Sequence, residues 1–138
     1  CGPCIATFPQ IRELAEHYRS RLRDSNLGFQ ADNQERIWQT FTVVLPAGIS
    51  RKAVRAELQA EGIETQIASY GLHRLAAFRN APRFAANGAS SELPVTDRLH
   101  DRGLALPLHS ELSKDDVDRV CAMLRKAVAL PTVRATDS

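Results

Sequence analysis

At 138 residues the chain is long enough for one domain with a real core, and its 43% apolar and 25% charged content is ordinary for a globular protein. A formal charge of +2 gives no electrostatic case for nucleic acid as a partner. No run of about 18 apolar residues is present to span a membrane, and no charged segment leads into an apolar one as a signal peptide requires.

Three cysteines, Cys1, Cys4 and Cys121, do not make a disulfide framework, so the reducing cytoplasm is the expected compartment. The first residue is cysteine, not methionine, which reads as an excised domain, a processed product or a fragment. Cys1-Gly2-Pro3-Cys4 is a turn by composition and a redox or metal motif by chemistry. A helix follows it. Pro9 suits a first turn, and Ile11, Leu14, Ala15, Tyr18 and Leu22 recur along one apolar stripe. Arg19, Arg21 and Arg23 load its C-terminal end, as the macrodipole favours. A cysteine at the start of a helix is a nucleophilic thiol by the same dipole. The local pattern resembles thioredoxin. That fold, however, enters a strand through a proline near the dithiol, and Pro46 here ends the run VVLP. For zinc, two cysteines need two more ligands, and His17, His73, His100, His109 and Cys121 show no paired spacing.

Residues 24–35 are polar and contain a glycine, a connector. Residues 36–46 form the best strand, with Ile37, Phe41, Val43 and Leu45 on one face and Trp38, Thr40, Thr42 and Val44 on the other. Both faces are fairly apolar, which places the strand centrally. Ser50 caps a helix over 51–61 with Val54 and Leu58 inward, and Gly62 stands where a C′ glycine belongs. Arg51 at the start of that helix opposes the macrodipole, so it has either an external partner or solvent.

A second strand is expected at 63–68. Periodicity then fails from 69 to 91, in a long loop that carries aromatics and is read as ordered and functional. Pro94 opens a helix to about Arg102, with Val95 and Leu99 inward, and residues 104–108 form a third strand. Ser113 caps a last helix, with Asp116 completing a relative of the capping box. Val117, Val120, Cys121, Leu124 and Val128 make its apolar stripe, on which Cys121 is a buried core thiol. The pattern is that of an α+β domain.

Several pieces occur in one order: the strand FTVVLP, the helix RKAVRAELQAEGIET, the Tyr70-x-x-His73 corner with Phe78 five residues on, then LPVTDRL and LALPLH before an acidic helix start. Together they resemble the C-terminal small domain of the DegT/DnrJ/EryC1/StrS family, pyridoxal-phosphate-dependent aminotransferases acting mainly on keto-sugars linked to nucleotides. ELAEHYRSRL at 13–22 is similar to the family helix that joins the large domain to the small one. The resemblance implies a small three-stranded sheet, mixed or antiparallel, covered by helices. It divides the chain into an N-terminal CGPC turn, connecting helix and linker at 1–35, the small domain at 36–130 and a tail at 131–138.

In this family the lysine that holds the cofactor belongs to the large domain. Lys52, Lys114 and Lys126, the only lysines here, match no such motif. The resemblance therefore implies part of an enzyme, without a catalytic residue of its own and inactive alone. Its implied partners are the PLP-binding large domain, a nucleotide-sugar substrate and a second subunit in a homodimer, with glutamate as amino donor. By position Tyr70 and His73 line the substrate pocket. Arg74, Arg79 and Arg83 are placed to face a nucleotide diphosphate, since guanidinium pairs well with phosphate. The plainer account makes Tyr70 a loop anchor, His73 a helix cap, the arginines solvated and His109 structural. Two further readings stand beside these: a thiol–disulfide oxidoreductase using Cys1 and Cys4, and a non-catalytic interaction module whose apolar faces self-associate.

Overall fold

The computed structural model describes residues 2–31, 37–79 and 93–130, with side chains from Pro9 onward and without that of Arg79. Helix α1 runs Gly2–Leu22. It begins earlier than its proline suggests, so Gly2 to Cys4 lie in its first turn and Pro9 lies inside it. A proline costs a helix one amide hydrogen bond. The turns beyond Pro9 are secured by tertiary packing: Leu14, Ala15, Tyr18 and Leu22 are all buried. Strands β1 (Gly28–Phe29) and β2 (Phe41–Val44) precede helix α2 (Arg51–Ala60). Strand β3 (Gln66–Ile67), a 3-10 turn at Leu72–Arg74 and the short helix α3 (Ala76–Arg79) follow. Helix α4 (Pro94–Arg102) passes without a loop into strand β4 (Gly103–Leu106), and helix α5 (Lys114–Ala129) closes the described chain.

The sheet has four strands in the order β1-β2-β4-β3, every neighbouring pair antiparallel. The three-stranded expectation is corrected by β1, two residues long inside the expected connector, where Gly28 pairs with Val44 and Phe29 with Val43. Two residues carry no periodicity, so the sequence gives no signal for it. Strand β2 is internal, as its two apolar faces require. Val44 pairs with Gly103 and Ile67 with Leu104. The C-terminal ends of β2 and β3 and the N-terminal end of β4 therefore share one edge of the sheet. The chain leaves β3 at that edge to form the Tyr70–His73 segment.

One core joins the elements. Phe41, Val43, Leu104 and Leu106 from the sheet meet Leu14, Tyr18 and Leu22 of α1, Val54 and Leu58 of α2, and Val117, Val120 and Leu124 of α5. Burial of each such side chain stabilises by about 1.5–3 kcal/mol before ordering costs. Tyr18 stacks on Phe41 at 4.8 Å between ring centroids and donates its hydroxyl to the Pro107 carbonyl at 2.8 Å. The phenol is thus buried without an orphaned polar atom, and burial, with Cys121 and Asp116 nearby, raises its pKa above the ordinary value. Polar links tie α1 to α5 at the rim, where Asp118 meets His17 at 2.8 Å and Arg21 at 2.6 Å. Burial pushes the Cys121 thiol up to about 12, so it behaves as a small core hydrophobe.

Three side-chain assignments from periodicity are corrected. Ile37 is 64% exposed while Trp38 is 5% exposed and stacks on Phe41 at 5.7 Å. The pleat begins only at Phe41, so alternation before it carries no meaning. Val95 is 61% exposed, although it occupies an apolar position of α4.

The caps follow the sequence closely. Ser50 accepts the Ala53 amide at 3.3 Å. At the other end of α2, Gly62 (φ 75°) donates to Gln59 and Ile63 donates to Leu58, the paired bonds of a Schellman motif. Ser113 and Asp116 form a reciprocal capping box, with Ser113 N–H to the Asp116 carboxylate at 2.9 Å and Asp116 N–H to the Ser113 hydroxyl at 3.1 Å. The amide and hydroxyl of Ser113 hold the Asp116 carboxyl below its ordinary value. A depressed folded pKa gives stability that is complete above the unfolded value of about 4 and is lost as the pH falls through the folded one. Asp116→Asn is therefore expected to lower Tm at neutral pH, and the gap from wild type to close in acid, as thermal melts between pH 7 and pH 2 would read.

Candidate functional site

Helix α4 sets the geometry of the site. It ends against the sheet, so its last carbonyl groups have no continuing helix to satisfy them. Each described partner comes from a different element. Gly103 N–H donates to the Leu99 carbonyl, and Leu45 N–H donates to that of Arg102 at 2.9 Å. Arg51 reaches from the start of α2 and donates through Nη1 to the His100 carbonyl and, at 3.2 Å, to that of Gly103. The Gly103 carbonyl also accepts the Ala68 amide at 3.4 Å. The partner of Arg51 is thus internal: a cation misplaced at the N-terminus of its own helix sits at the C-terminus of another, where the dipole favours it. Burial lowers the Arg51 pKa from its ordinary value, Arg55 adds to this, and Asp101 and Tyr70 oppose it. The guanidinium stays charged.

One face of α4 then holds the corner. Asp97, His100 and Asp101 stand at i, i+3 and i+4, a single stripe. His100 Nδ1 accepts the Gly71 amide at 2.9 Å. His73 Nε2 lies 2.9 Å from Asp97 Oδ1. Arg74 Nη1 lies 2.6 Å from Asp101 and 3.8 Å from Asp97. Three successive points of the segment, at 71, 73 and 74, are pinned to the helix. Tyr70 is left 58% exposed, its ring in a T-shaped contact with that of His100 at 6.3 Å between centroids.

The structure thus brings together Tyr70, His73 and Arg74. Arg79 ends α3, and Arg83 lies outside the described residues. His109 is exposed beyond β4. Cys1 lies outside the described residues, and Cys4 enters through its backbone alone, in the first turn of α1. Among the described residues no group of three His, Cys, Asp or Glu side chains is placed to hold a metal, and no helix is long and apolar enough to cross a membrane. Asp97, His100 and Asp101 were not among the site residues read from the sequence. Their i, i+3, i+4 spacing is visible there, but nothing local says that the stripe faces a segment more than twenty residues earlier. A separate hollow of about 580 Å³ at the β1–β2 side of the same edge is lined by Leu27, Pro46, Ile49, Arg125 and Val128, and none of the expected site residues lines it.

Comparison with known proteins identifies the family and the fold. Residues 7–125 match the model of the DegT/DnrJ/EryC1/StrS aminotransferase family. Among solved structures the chain is similar to a DegT DnrJ EryC1 StrS aminotransferase from Brucella abortus, with 26% identity and a TM-score of 0.70 over 89% of this chain and 31% of that one. It is similar to the aminotransferase TlmJ from Streptoalloteichus hindustanus, with 26% identity and a TM-score of 0.71 over 88% of this chain and 32% of that one. A third is DesI, solved in the presence of its TDP-sugar product, with 27% identity and a TM-score of 0.72 over 90% of this chain and 33% of that one. The chain spans about a third of the length of each of these structures.

The close approach at the helix–strand junction is the local feature least tolerant of change. A Cβ on Gly103 would collide with the Leu99 carbonyl oxygen and lie 3.0 Å from Ala68 Cβ. Gly103→Ala is expected to destabilise by about 1–3 kcal/mol, as overpacking against backbone does. Arg74→Ala, which removes a half-exposed ion pair, is expected to cost less than about 1 kcal/mol. Urea denaturation of the two variants compares them directly.

Proposed function

This chain belongs to the DegT/DnrJ/EryC1/StrS aminotransferase family, and we propose that it forms the C-terminal, pocket-closing part of a pyridoxal-phosphate-dependent enzyme that transfers an amino group to a nucleotide-linked keto-sugar. The observation that carries this reading is the pinned corner. A phenol ring stands out from a backbone that three side-chain bonds hold rigid, which is how a group that must meet a ligand is pre-organised. The coverage supports it as well, since the chain spans almost all of itself and about a third of related aminotransferases, one of them solved with a TDP-sugar product.

The residues present do not make a cradle for the cofactor's covalent link. Lys52, Lys114 and Lys126 are exposed on α2 and α5, with none set among buried groups that would fix its approach. Pyridoxal phosphate and its lysine are therefore assigned to a large domain of the intact enzyme. When bound, the cofactor supplies the electron sink for amino-group transfer. This chain's contribution is shape and polarity. Tyr70 presents a hydroxyl and an aromatic face. His73, oriented by Asp97, stands beside it. The Arg74 guanidinium is engaged by Asp101 and Asp97 and fixes the far side of the corner. Arg79, at the end of α3, is proposed for the diphosphate side of the same pocket. A homodimer of the intact enzyme and a cytoplasmic setting complete the proposal.

The reading is tested by sequencing upstream in the same frame and assaying the longer protein for transamination of nucleotide-linked keto-sugars with glutamate. Tyr70→Phe and His73→Asn in that protein are expected to raise KM for the nucleotide sugar by about tenfold, the worth of one ligand hydrogen bond. A frame without a lysine-bearing domain, or variants with unchanged KM, would overturn it.

A further inference from the structure

We infer that Arg51 and His100 are positioning residues for the corner, acting in series from the start of α2 through the end of α4 to Tyr70. The inference deepens the proposed function and rests on the corner being a wall of the substrate pocket, although its structural half stands without that reading.

The argument starts from His100, which has three separate contacts. Its carbonyl accepts from Arg51, its Nδ1 accepts the Gly71 amide at 2.9 Å, and its ring makes a T-shaped contact with that of Tyr70. A ring nitrogen that accepts from an amide carries no proton, so His100 is fixed in the tautomer with the proton on Nε2. That bond places the backbone immediately after Tyr70. A turn of the His100 ring would carry the Gly71 amide and the tyrosine with it. The angle of the ring depends in turn on the backbone of the last turn of α4, where frayed carbonyls are the default without partners. Arg51 meets one of them, that of His100, and bridges it to the Gly103 carbonyl at the start of β4. The Gly103 carbonyl also receives the Ala68 amide, so the guanidinium shares an acceptor with the segment that leads into the corner. The two carboxylate pins, His73–Asp97 and Arg74–Asp101, lie at and beyond the 3-10 turn and hold its far side. The near side, next to Tyr70, depends on His100.

The test uses the full chain labelled with nitrogen-15. Two quantities are read: the imidazole nitrogen signature of His100 and hydrogen exchange at Gly71. Val120 and Leu124 in α5 serve as reporters of global stability. In the wild-type chain His100 Nδ1 is expected to show the shift of an unprotonated acceptor and the Gly71 amide to be protected. His100→Leu removes the acceptor and is expected to speed Gly71 exchange by about tenfold, the scale of one net hydrogen bond. His100→Asn places an oxygen near the position of Nδ1 and is expected to restore most of the protection. Arg51→Met keeps the stem and removes the donors. It is expected to blur the His100 signature and to speed exchange at Gly71 by a larger factor than at Val120 and Leu124, which report the loss of global stability alone. Two outcomes overturn the inference: unchanged Gly71 exchange in His100→Leu and Arg51→Met, or equal acceleration at Val120 and Leu124, which marks general destabilisation. In the longer enzyme the same Arg51→Met change should raise KM for the nucleotide sugar more than it lowers kcat. If KM is unmoved while Gly71 exchange changes, the positioning role stands and the pocket reading falls.

Discussion

The carbonyl groups at the end of α4 impose the constraint around which this edge of the molecule is built. A helix that runs straight into a strand has no loop in which to satisfy its last acceptors. Buried and unpaired, each would cost about 1–3 kcal/mol. The solution recruits the neighbours: the Gly103 amide, the Leu45 amide and the Arg51 guanidinium. Those partners come from the junction itself, from the residue following β2 and from the first turn of α2. Satisfying one helix end therefore fixes the relative positions of α2, β2 and α4 at a single place. The glycine at the junction belongs to the same solution, because only a residue without Cβ clears the Leu99 carbonyl.

That fixed helix becomes the support for the corner. Asp97, His100 and Asp101 form one stripe of α4 and meet successive points of the segment that leaves β3. The stripe uses two carboxylates against a histidine and an arginine, and a ring nitrogen against an amide. Gly71 is buried, but the two carboxylate pairs at His73 and Arg74 are half-buried or exposed, where a single pair is weak. Their effect comes from number and spacing. Three bonds within four residues leave the segment little freedom to turn, while Tyr70 stays exposed beside them. A rigid backbone under an exposed phenol is an arrangement suited to meeting something that is not part of this chain. The chain belongs to an aminotransferase family and spans about a third of the length of the related structures.

Much of the fold was legible because its signals are local. The cap at Ser50, the C′ glycine at Gly62 and the box between Ser113 and Asp116 need only a few neighbouring residues to be recognised, and each has the expected bonds. The stripes of α1 and α5 span several turns, enough for period to separate core from surface. Legibility failed where an element was too short for a period, as at β1, or where alternation was extended beyond the pleat, as at Ile37 and Trp38. At Val95 an apolar residue in helical register faces solvent, because the partner that burial requires is not specified by the helix that carries it.

The sequence by itself determined the class of the fold, the caps of α2 and α5, most of its core and the family to which it belongs, since each rests on short-range chemistry or on an ordered set of motifs. It also flagged Arg51 as a charge at the wrong end of a helix. Only the tertiary structure decided what that charge was for. The partner of Arg51 lies about fifty residues away at the end of another helix, and the stripe that holds the corner lies more than twenty residues beyond it. Pairings over such distances follow from how the antiparallel register brings three strand ends to one edge of the sheet, and no local pattern encodes that edge.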